Sequence, residues 1–422
     1  MPRIPLLTLL TLFLLFSQAL AETLTLQQCL GRASTANREL KVAAHDVKIA
    51  AQNIPIGKSG YLPRVDLQGG YTAQQDPQSV IIQGFAVPTQ DANYGFFSAA
   101  LHQTIYDFGR TSSRYGRAKA LTEATSYNYT ALEKDIFLQV VEAYYGVLES
   151  GKLLRSAEEE VVQMTDHVNV AQNLFSQGVV TRNDLLQAEV QLANSSQRRL
   201  AAANRVENSW ILLDYLIGLG PSYRAELQDS QDMEPIPPPM NIETVMSNRP
   251  ERKALKKGIQ AGELSVKESR SAYFPEIFAR LGVDYVENNR VEEQAILYAT
   301  VGLQVNLFDG FATTARHRQT VDALSRDEES LRDLEARIRV EYETARNDAR
   351  VAAERITAVR KSIQQGEENL RINKDRYQEQ AGTATDVIDA QTLLTQTRTE
   401  YFRAFFDYHV AVARVKKAMG EL

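Results

Sequence analysis

Asp386 and Asp389 are the residues whose type and spacing most clearly suggest chemistry. They stand three apart in a stretch of helical periodicity, so both carboxylates lie on one helix face and would attract cations. A second role is open for Asp386, because a threonine three residues earlier is typical of a helix cap. Asp184 has the same arrangement, with Thr181 in place of Thr383. The two roles are compatible, and the sequence leaves both open.

Catalytic and cofactor-binding patterns are missing from the sequence. The five histidines lie far apart and have no metal-ligand spacing. The lone Cys29 excludes an internal disulfide and any CxxC site. Gly57-Lys58-Ser59 matches the end of a phosphate-binding loop, but Gln52 stands where that loop needs glycine. We therefore predict that the protein is not an enzyme and has no cofactor or metal, and its net charge of −6 argues against a nucleic-acid partner.

Residues 1–21 are a predicted signal peptide. Arg3 precedes an apolar run from Leu6 to Phe16, and Ala19-Leu20-Ala21 has the small-x-small pattern of signal-peptidase cleavage. This apolar run is too short to cross a bilayer of about 30 Å as a helix. The alternative is a buried N-terminal helix. We expect an exported mature chain that begins at Glu22.

The mature chain consists of two similar halves. Three pairs of segments carry the repeat: Tyr61-Leu62-Pro63 and Tyr273-Phe274-Pro275, Leu101–Asp107 and Leu303–Asp309, and Phe175–Ala188 and Tyr377–Ala390. We predict a first repeat over 22–217 and a second over 251–422, each with a helix, a β-hairpin and a long helical hairpin. Residues 218–250 contain Pro235-Ile236-Pro237-Pro238-Pro239 and are predicted to form an extended linker.

Long helices are predicted in both halves. From Leu331 to Leu370, apolar residues recur every three or four positions, which is the period of a left-handed coiled coil. No proline lies between Gly109 and Gly220, so Arg110–Ser176 can form one helix of about 100 Å. Shorter helices are predicted at Thr25–Ser59 and Thr181–Leu216.

Four strands are predicted where the apolar period changes to two. Their alternating apolar residues are Val65, Leu67 and Tyr71; Phe97, Ala99, Leu101 and Ile105; Ile277, Ala279, Leu281, Val283 and Tyr285; and Val301, Leu303, Val305 and Leu307. Each stretch has about ten residues, the length of a tilted membrane strand. An apolar and a mostly polar face fit a lipid-facing exterior and a wet interior. Two soluble hairpins packed on a core are the alternative.

The strand count has a consequence for assembly. No segment after the signal peptide approaches the 18 consecutive apolar residues of a membrane helix, which leaves a β-barrel as the spanning structure. Four strands cannot close a barrel, which needs about eight, so several chains must share one if the strands enter a membrane. We expect the loops Gln74–Tyr94 and Glu287–Leu297, which differ in length, to be exposed at the cell surface.

In combination, these features resemble the TolC family of outer-membrane channels for efflux and type I secretion. The motifs that carry the resemblance are the two Tyr-x-Pro segments, Tyr106-Asp107-Phe108-Gly109-Arg110 with Phe308-Asp309-Gly310, and Thr385-Asp386-Val387-Ile388-Asp389-Ala390-Gln391. The family implies a mostly α fold with a membrane β-barrel: a homotrimer with four strands per chain in a 12-stranded barrel, and a coiled-coil α-barrel across the periplasm. The linker would belong to an equatorial region. It implies outer-membrane lipid, a periplasmic adaptor (membrane fusion protein) and an inner-membrane pump as partners.

The resemblance places the functional sites at two helix-to-helix turns, 177–184 and 379–386. The residues that it assigns to the periplasmic aperture are Asp386, Asp389, Tyr377, Asn183 and Asp184. Some family members hold this aperture shut with an arginine where this chain has Gly382, and Arg182 could substitute. The expected adaptor contacts are Val179, Val180 and Ala384. The strand-start motifs contribute Tyr61, Pro63, Tyr273 and Pro275.

We therefore expect a passive export channel, located in the outer membrane of a Gram-negative bacterium, for small molecules, metal ions or polypeptides. The alternative is a secreted periplasmic coiled-coil scaffold. An adaptor protein would need a lipoyl-like β-domain beside one hairpin, and no such segment is seen in the sequence. The cargo and the partner pump are not specified by the residues.

Overall fold

A computed structural model describes residues 23–229 and 232–422. The predicted signal peptide, 1–21, lies outside the described residues. The elements of the first half are α1 (Leu26–Ala36), α2 (Arg38–Lys58), β1 (Arg64–Ala73), β2 (Ser79–Ile82), β3 (Phe85–Pro88), β4 (Asn93–Tyr106), α3 (Arg110–Ser176) and α4 (Arg182–Ile217). The later elements are α5 (Ile242–Asn248), α6 (Pro250–Ser271), β5 (Glu276–Val286), β6 (Ala295–Gln304), α7 (Ala312–Gln378) and α8 (Ala384–Met419).

Helices dominate the described part of the chain. The predicted helix Arg110–Ser176 is confirmed at both ends, and α7 has the same length of 67 residues. The predicted coiled-coil seam of α7 is confirmed too, because every seam residue from Leu331 to Leu370 is buried or half-buried. No helix among the described residues is long and apolar enough to cross a membrane.

The helix predicted over Thr25–Ser59 is divided in two at Asn37. The backbone of Asn37 is not helical there, and its side-chain amide donates a hydrogen bond of 2.9 Å to the Leu216 carbonyl. Asn37 is 3% exposed, so its side chain is a buried polar group that needs hydrogen-bond partners, and the Leu216 carbonyl is one of them. The break therefore depends on a residue far away in the sequence.

One four-stranded antiparallel sheet has the order β1-β4-β5-β6. Its register aligns the predicted apolar residues across the strands: Leu101 pairs with Val65 on one side and with Leu281 on the other. Among the described residues, β1 and β6 have no second neighbour, so both edges of the sheet are unpaired. The last strand ends at Gln304, which leaves Val305 and Leu307 of the predicted strand outside it.

Two elements differ from the sequence-based expectation. The loop between β1 and β4 contains a separate hairpin of β2 and β3. The linker predicted to be extended contains helix α5, which begins after Asn241, whose side chain accepts a hydrogen bond from the Glu243 N–H. This cap explains why seven residues turn helical directly after a proline-rich stretch.

The chain divides into two compact units. The unit of Arg38–Leu138, Ile236–Val351 and Ala411–Leu422 holds all the strands, and its buried side chains include Ile136, Ile338 and Tyr342.

The other unit comprises the described residues up to Asn37 together with Gln139–Pro235 and Ala352–Val410, and it holds both helix-to-helix turns. Tyr144 lies in its core and donates to the Gln228 carbonyl at 2.7 Å. Cys29 is fully buried in the same unit.

Candidate functional site: the helix-to-helix turns

The turn between α3 and α4 is closed at both sides by local hydrogen bonds. The Gly178 N–H donates to the Phe175 carbonyl at 2.9 Å, and Gly178 takes the left-handed conformation with φ of 73°. Thr181 and Asp184 then form a capping box, in which each side chain accepts from the backbone N–H of the other. Asp184 is therefore held at the start of α4 by its capping role.

The turn between α7 and α8 repeats this arrangement with different residues. Gln380, with φ of 61°, takes the left-handed position that Gly178 has in the first turn. Asp386 accepts a hydrogen bond of 2.9 Å from the Thr383 N–H, and the Asp386 N–H donates to the Thr383 hydroxyl. The hydrogen bonds from Thr383, together with the nearby Arg376 guanidinium, keep the pKa of Asp386 below its usual value. Asp386 is thus ionised at neutral pH.

Asp386 and Asp389 are both exposed on the same side of α8, whereas Val387, Ile388 and Ala390 between and beside them are buried. The capping role accounts for Asp386, but Asp389 lies inside the helix and has no ion-pair partner within the described residues. The pair therefore presents two carboxylates to the surroundings of the turn.

Tyr377 lies in the core of the second turn and not on its surface. It is 5% exposed and packs with Ala384, Val387 and Leu394, and Val170 of α3 covers this cluster. The packing joins the end of α7 and the start of α8 to α3.

A cavity of about 240 Å³ beside Tyr377 is lined by polar groups of α3 and α7. Three buried side-chain atoms at this cavity have no hydrogen-bond partner: Gln163 Oε1, His167 Nε2 and the Tyr377 hydroxyl. The ring centres of His167 and Tyr377 are 5.4 Å apart. Burial, and secondarily the charge of Lys374, lower the pKa of His167, so the imidazole is neutral at pH 7.

Gly382 is packed closely against the end of α7. A Cβ atom at this position would lie 3.2 Å from Arg376 Cβ and 3.4 Å from the Tyr377 nitrogen. A side chain at 382 would therefore require Arg376 to move by a few tenths of an ångström. Arg376, which sequence reasoning missed, donates to the Ala381 carbonyl at 3.2 Å and supplies the positive charge of this turn. Arg182 and Asn183 are exposed at the sister turn.

The three residues expected to contact an adaptor differ in accessibility. Val179 is 40% exposed and Val180 is half-buried. Ala384 is 3% exposed and lies inside the Tyr377 cluster. Its burial removes it from the surface that a partner could contact.

The strand-start motifs are turns that lead from a helix into the sheet. Tyr61 and Tyr273 are both about half exposed, and each makes an edge-on ring contact, Tyr61 with Tyr115 at 6.2 Å and Tyr273 with His317 at 5.9 Å. Pro63 and Pro275 each stand directly before the first residue of a strand. These residues position strands and contain no group poised for chemistry.

The second shared motif is a helix cap. Asp107 accepts hydrogen bonds from the Gly109 and Thr111 N–H groups at 3.1 and 2.7 Å, and Asp309 accepts from Thr313 at 2.9 Å. Each aspartate thereby begins one of the two 67-residue helices. The similarity of the two motifs in the sequence was the signal that could have indicated this role.

A family model described as outer membrane efflux protein matches residues 29–219 and 241–421, which is most of the chain. The chain belongs to the outer membrane efflux protein family. The protein is accordingly an outer-membrane protein of a Gram-negative bacterium with a periplasmic extension, and it is of the TolC type.

Individual members of the outer membrane efflux protein family match the chain over nearly its full length. "Outer membrane efflux protein BepC" of Brucella suis is 23% identical over 407 residues, which cover 96% of this chain and 86% of that protein. "Alkaline protease secretion protein AprF" of Pseudomonas aeruginosa is 21% identical, with coverage of 91% and 82%. The solved structure of the outer membrane protein VceC from Vibrio cholerae superposes with a TM-score of 0.82 at 14% identity, covering 94% of this chain and 96% of that one. The fold is therefore that of an outer-membrane efflux protein.

Proposed function

We propose that three copies of the chain form an outer-membrane channel that exports small molecules or polypeptides delivered by a pump. Each copy contributes its four-stranded sheet to a 12-stranded barrel, and the long helices of the two repeats line a tunnel across the periplasm. The names of BepC and AprF, an efflux and a secretion protein, support both cargo classes.

One observation carries this proposal: the sheet has a continuous apolar face and two unpaired edges. The alternating apolar residues Val65–Tyr71, Phe97–Leu101, Ile277–Tyr285 and Leu297–Leu303 fall on one face through the register of the pairs, and Leu297 and Val301 are 84% and 79% exposed there. The opposite face carries polar residues such as Arg64, Asp66 and Arg280. A bare apolar face needs lipid or protein to cover it, and a four-stranded sheet with open edges needs neighbours to close.

Adjacent residues on the two faces test the proposal. Val301→Lys puts a charge on the apolar face, while Thr300→Lys puts the same charge on the polar face of the same strand. A lipid-facing position should tolerate lysine poorly, so Val301→Lys should lower the yield of SDS-resistant trimer in the outer-membrane fraction, and Thr300→Lys should leave it unchanged. Equal tolerance of both, with a monomer released among soluble periplasmic proteins, would support a coiled-coil scaffold and refute the channel.

We place the periplasmic aperture at the second turn. In a trimer, Asp386 and Asp389 of each copy would place six carboxylates around one opening, which would favour cations. The first turn contributes Asp184, Asn183 and Arg182 to this opening, and Tyr377 supports it from the core. Arg376 supplies the positive charge that some family members have at the position of Gly382.

We further propose that a periplasmic adaptor, which connects the channel to an inner-membrane pump, contacts the first turn at Val179 and Val180. The exposed apolar side chain of Val179 at a helix-to-helix turn supports this assignment. Val179→Asp should abolish co-purification with the adaptor, whereas Gln172→Asp, at an exposed position earlier on α3, should not. Retained binding by Val179→Asp would move the contact elsewhere.

A further inference from the structure

The β2–β3 hairpin is an uncovered apolar ribbon. Its turn residues Gln83 and Gly84 both have positive φ, 49° and 86°, as in the tight turns that match the twist of a hairpin. The pairs Val80–Val87 and Ile82–Phe85 place four large apolar side chains on one face. These side chains are 45%, 42%, 55% and 75% exposed, respectively.

No charged side chain protects this ribbon from association with other protein. The segment Ser79–Pro88 contains no charged residue, and neither strand has a third neighbour among the described residues. Two-stranded hairpins are at best marginally stable in water, and uncharged apolar edges associate with other protein. The ribbon is therefore expected to be covered in the assembled protein.

The base of the hairpin is fixed to the same end of the sheet as the β5–β6 loop. Asn288 donates from its amide to the Thr89 carbonyl at 2.9 Å, and Arg290 Nε lies 2.8 Å from Asp91 Oδ1. The remaining charged residues in the two loops are all acidic: Asp76, Glu287, Glu292 and Glu293. An acidic surround disfavours the phosphate-bearing head groups of a lipid surface as the covering partner, whereas the ribbon of a second copy brings no charge of its own to the contact.

The dimensions favour copies of the same hairpin as the partner. Twelve strands about 4.8 Å apart and tilted by about 40° enclose a barrel with a radius of about 12 Å. Strands of four residues extend about 13 Å at about 3.3 Å per residue. A hairpin that folds inward from the rim thus reaches the barrel axis, where it meets its two counterparts.

We propose that the β2–β3 hairpins of three copies pack their apolar faces together across the outer end of the barrel and form an uncharged plug. The plug rests on the proposed trimer, and each face is incomplete without the other two copies. Val80, Ile82, Phe85 and Val87 form its core. Export then requires the apolar faces of the hairpins to separate.

Cross-linking on intact cells tests the plug. Gln83→Cys places a thiol at the hairpin tip, and Glu292→Cys places one on the neighbouring loop outside the ribbon. With a membrane-impermeant thiol–thiol cross-linker of about 8 Å, we expect covalent dimers and trimers from Gln83→Cys after full denaturation, and only monolabelled chain from Glu292→Cys. A Gln83→Cys chain that is labelled but not cross-linked overturns the plug.

Two further measurements distinguish failure of the plug from failure of the proposed trimer, and a covering by protein from a covering by lipid. The same samples, run unheated, report the SDS-resistant trimer: a missing trimer refutes the proposed channel itself, while an intact trimer without cross-links refutes only the plug. A bimane label on Phe85→Cys should resist quenching by brominated lipid. Strong quenching would show that the ribbon lies in lipid and would also overturn the plug.

The plug should limit conductance. Replacing Val80, Ile82, Phe85 and Val87 together by threonine keeps the β-propensity and removes the apolar face. We expect the single-channel conductance in planar bilayers to rise at least twofold, and Ile81→Thr, on the opposite face of β2, to leave it unchanged. An unaltered conductance of the fourfold variant would contradict a closed outer end.

Discussion

Residues at equivalent positions of the two turns differ in how easily they adopt the left-handed backbone conformation. Gln380 has a Cβ atom in a left-handed conformation that costs most residues about 1 kcal/mol, while Gly178 takes the same conformation without this cost. His167 is a buried imidazole beside the Lys374 ammonium, with Asp166 on its own helix and Tyr377 opposite. Both residues therefore lower the stability of the region that surrounds the proposed aperture.

Replacing Gln380 by glycine should strengthen the second turn by about 1 kcal/mol, because the left-handed strain disappears. Slower hydrogen exchange at residues 379–383 would report the change. Gly178→Ala should have the opposite effect at the first turn. Faster exchange in Gln380→Gly would show that the Gln380 side chain contributes more than its backbone costs.

Acid should loosen the packing of α3 against α7. The folded state lowers the pKa of His167, so the unfolded state binds more protons as the pH falls through about 6.5, and stability is lost below that pH. Limited proteolysis near the turns should therefore accelerate from pH 7.5 to 5.5 in the native protein. The acceleration should be reduced in His167→Gln and retained in His45→Gln, whose histidine is exposed. Identical pH profiles for all three proteins would exclude His167 as the cause.

At the scale of elements, the sequence predicted the helices and strands whose apolar residues recur at a regular spacing along the chain. The long helices and the α7 seam follow from a spacing of three and four, and the registered apolar face of the sheet follows from a spacing of two. The break at Asn37 escaped prediction because its cause is the distant Leu216 carbonyl. Hairpin β2–β3 was missed because a long loop hid two strands of four residues, although Gln83-Gly84 has the composition of a tight turn.

The candidate site was predictable in part, for the same reason. The threonine–aspartate spacing at Asp184 and Asp386 indicated the caps that the structure contains. The burial of Ala384 and Tyr377 could not be anticipated, since it comes from the tertiary packing of α7 and α8 against each other, with α3 covering the cluster. Arg376 gave no signal, because an arginine near a helix end is common and its contact with Ala381 depends on the shape of the turn.

Loss of the aspartate cap should weaken the start of α3. Asp107→Ala removes the acceptor of two backbone N–H groups, a loss of about 1 kcal/mol. The change should appear as faster hydrogen exchange in the first turn of α3 only. Asp107→Asn retains an acceptor oxygen and should behave almost like the native protein. A uniform destabilisation of the whole chain in Asp107→Ala would indicate a role beyond capping.

At the scale of the whole molecule, Asp386 combines the capping role with a place in the proposed ion filter, to which Asp389 adds a second carboxylate. Asparagine can cap a helix as aspartate does, so Asp386→Asn combined with Asp389→Asn removes the charge and keeps the turn. Alanine at Asp386 would change both. The asparagine pair therefore separates electrostatics from folding.

The Asp386→Asn, Asp389→Asn variant should lower the cation selectivity of the assembled channel in planar bilayers. The reversal potential in a salt gradient measures it, and the shift should be largest at low ionic strength, where screening is weakest. Asp333→Asn, on α7 away from the turns, provides a control with an exposed carboxylate. Native selectivity in the double variant would mean that the six carboxylates do not surround the conduction path.

The complete burial of Cys29 determines how its thiol reacts in the compartment where the protein is located. Exclusion from water raises the pKa of its thiol to about 12, although the charge of Arg32 opposes the shift, so almost no thiolate exists at neutral pH. In an oxidising compartment a solitary reactive sulfur would join chains through unwanted covalent bonds. The buried Cys29 sulfur is therefore unreactive, and a thiol reagent would label a cysteine introduced at the surface without labelling Cys29.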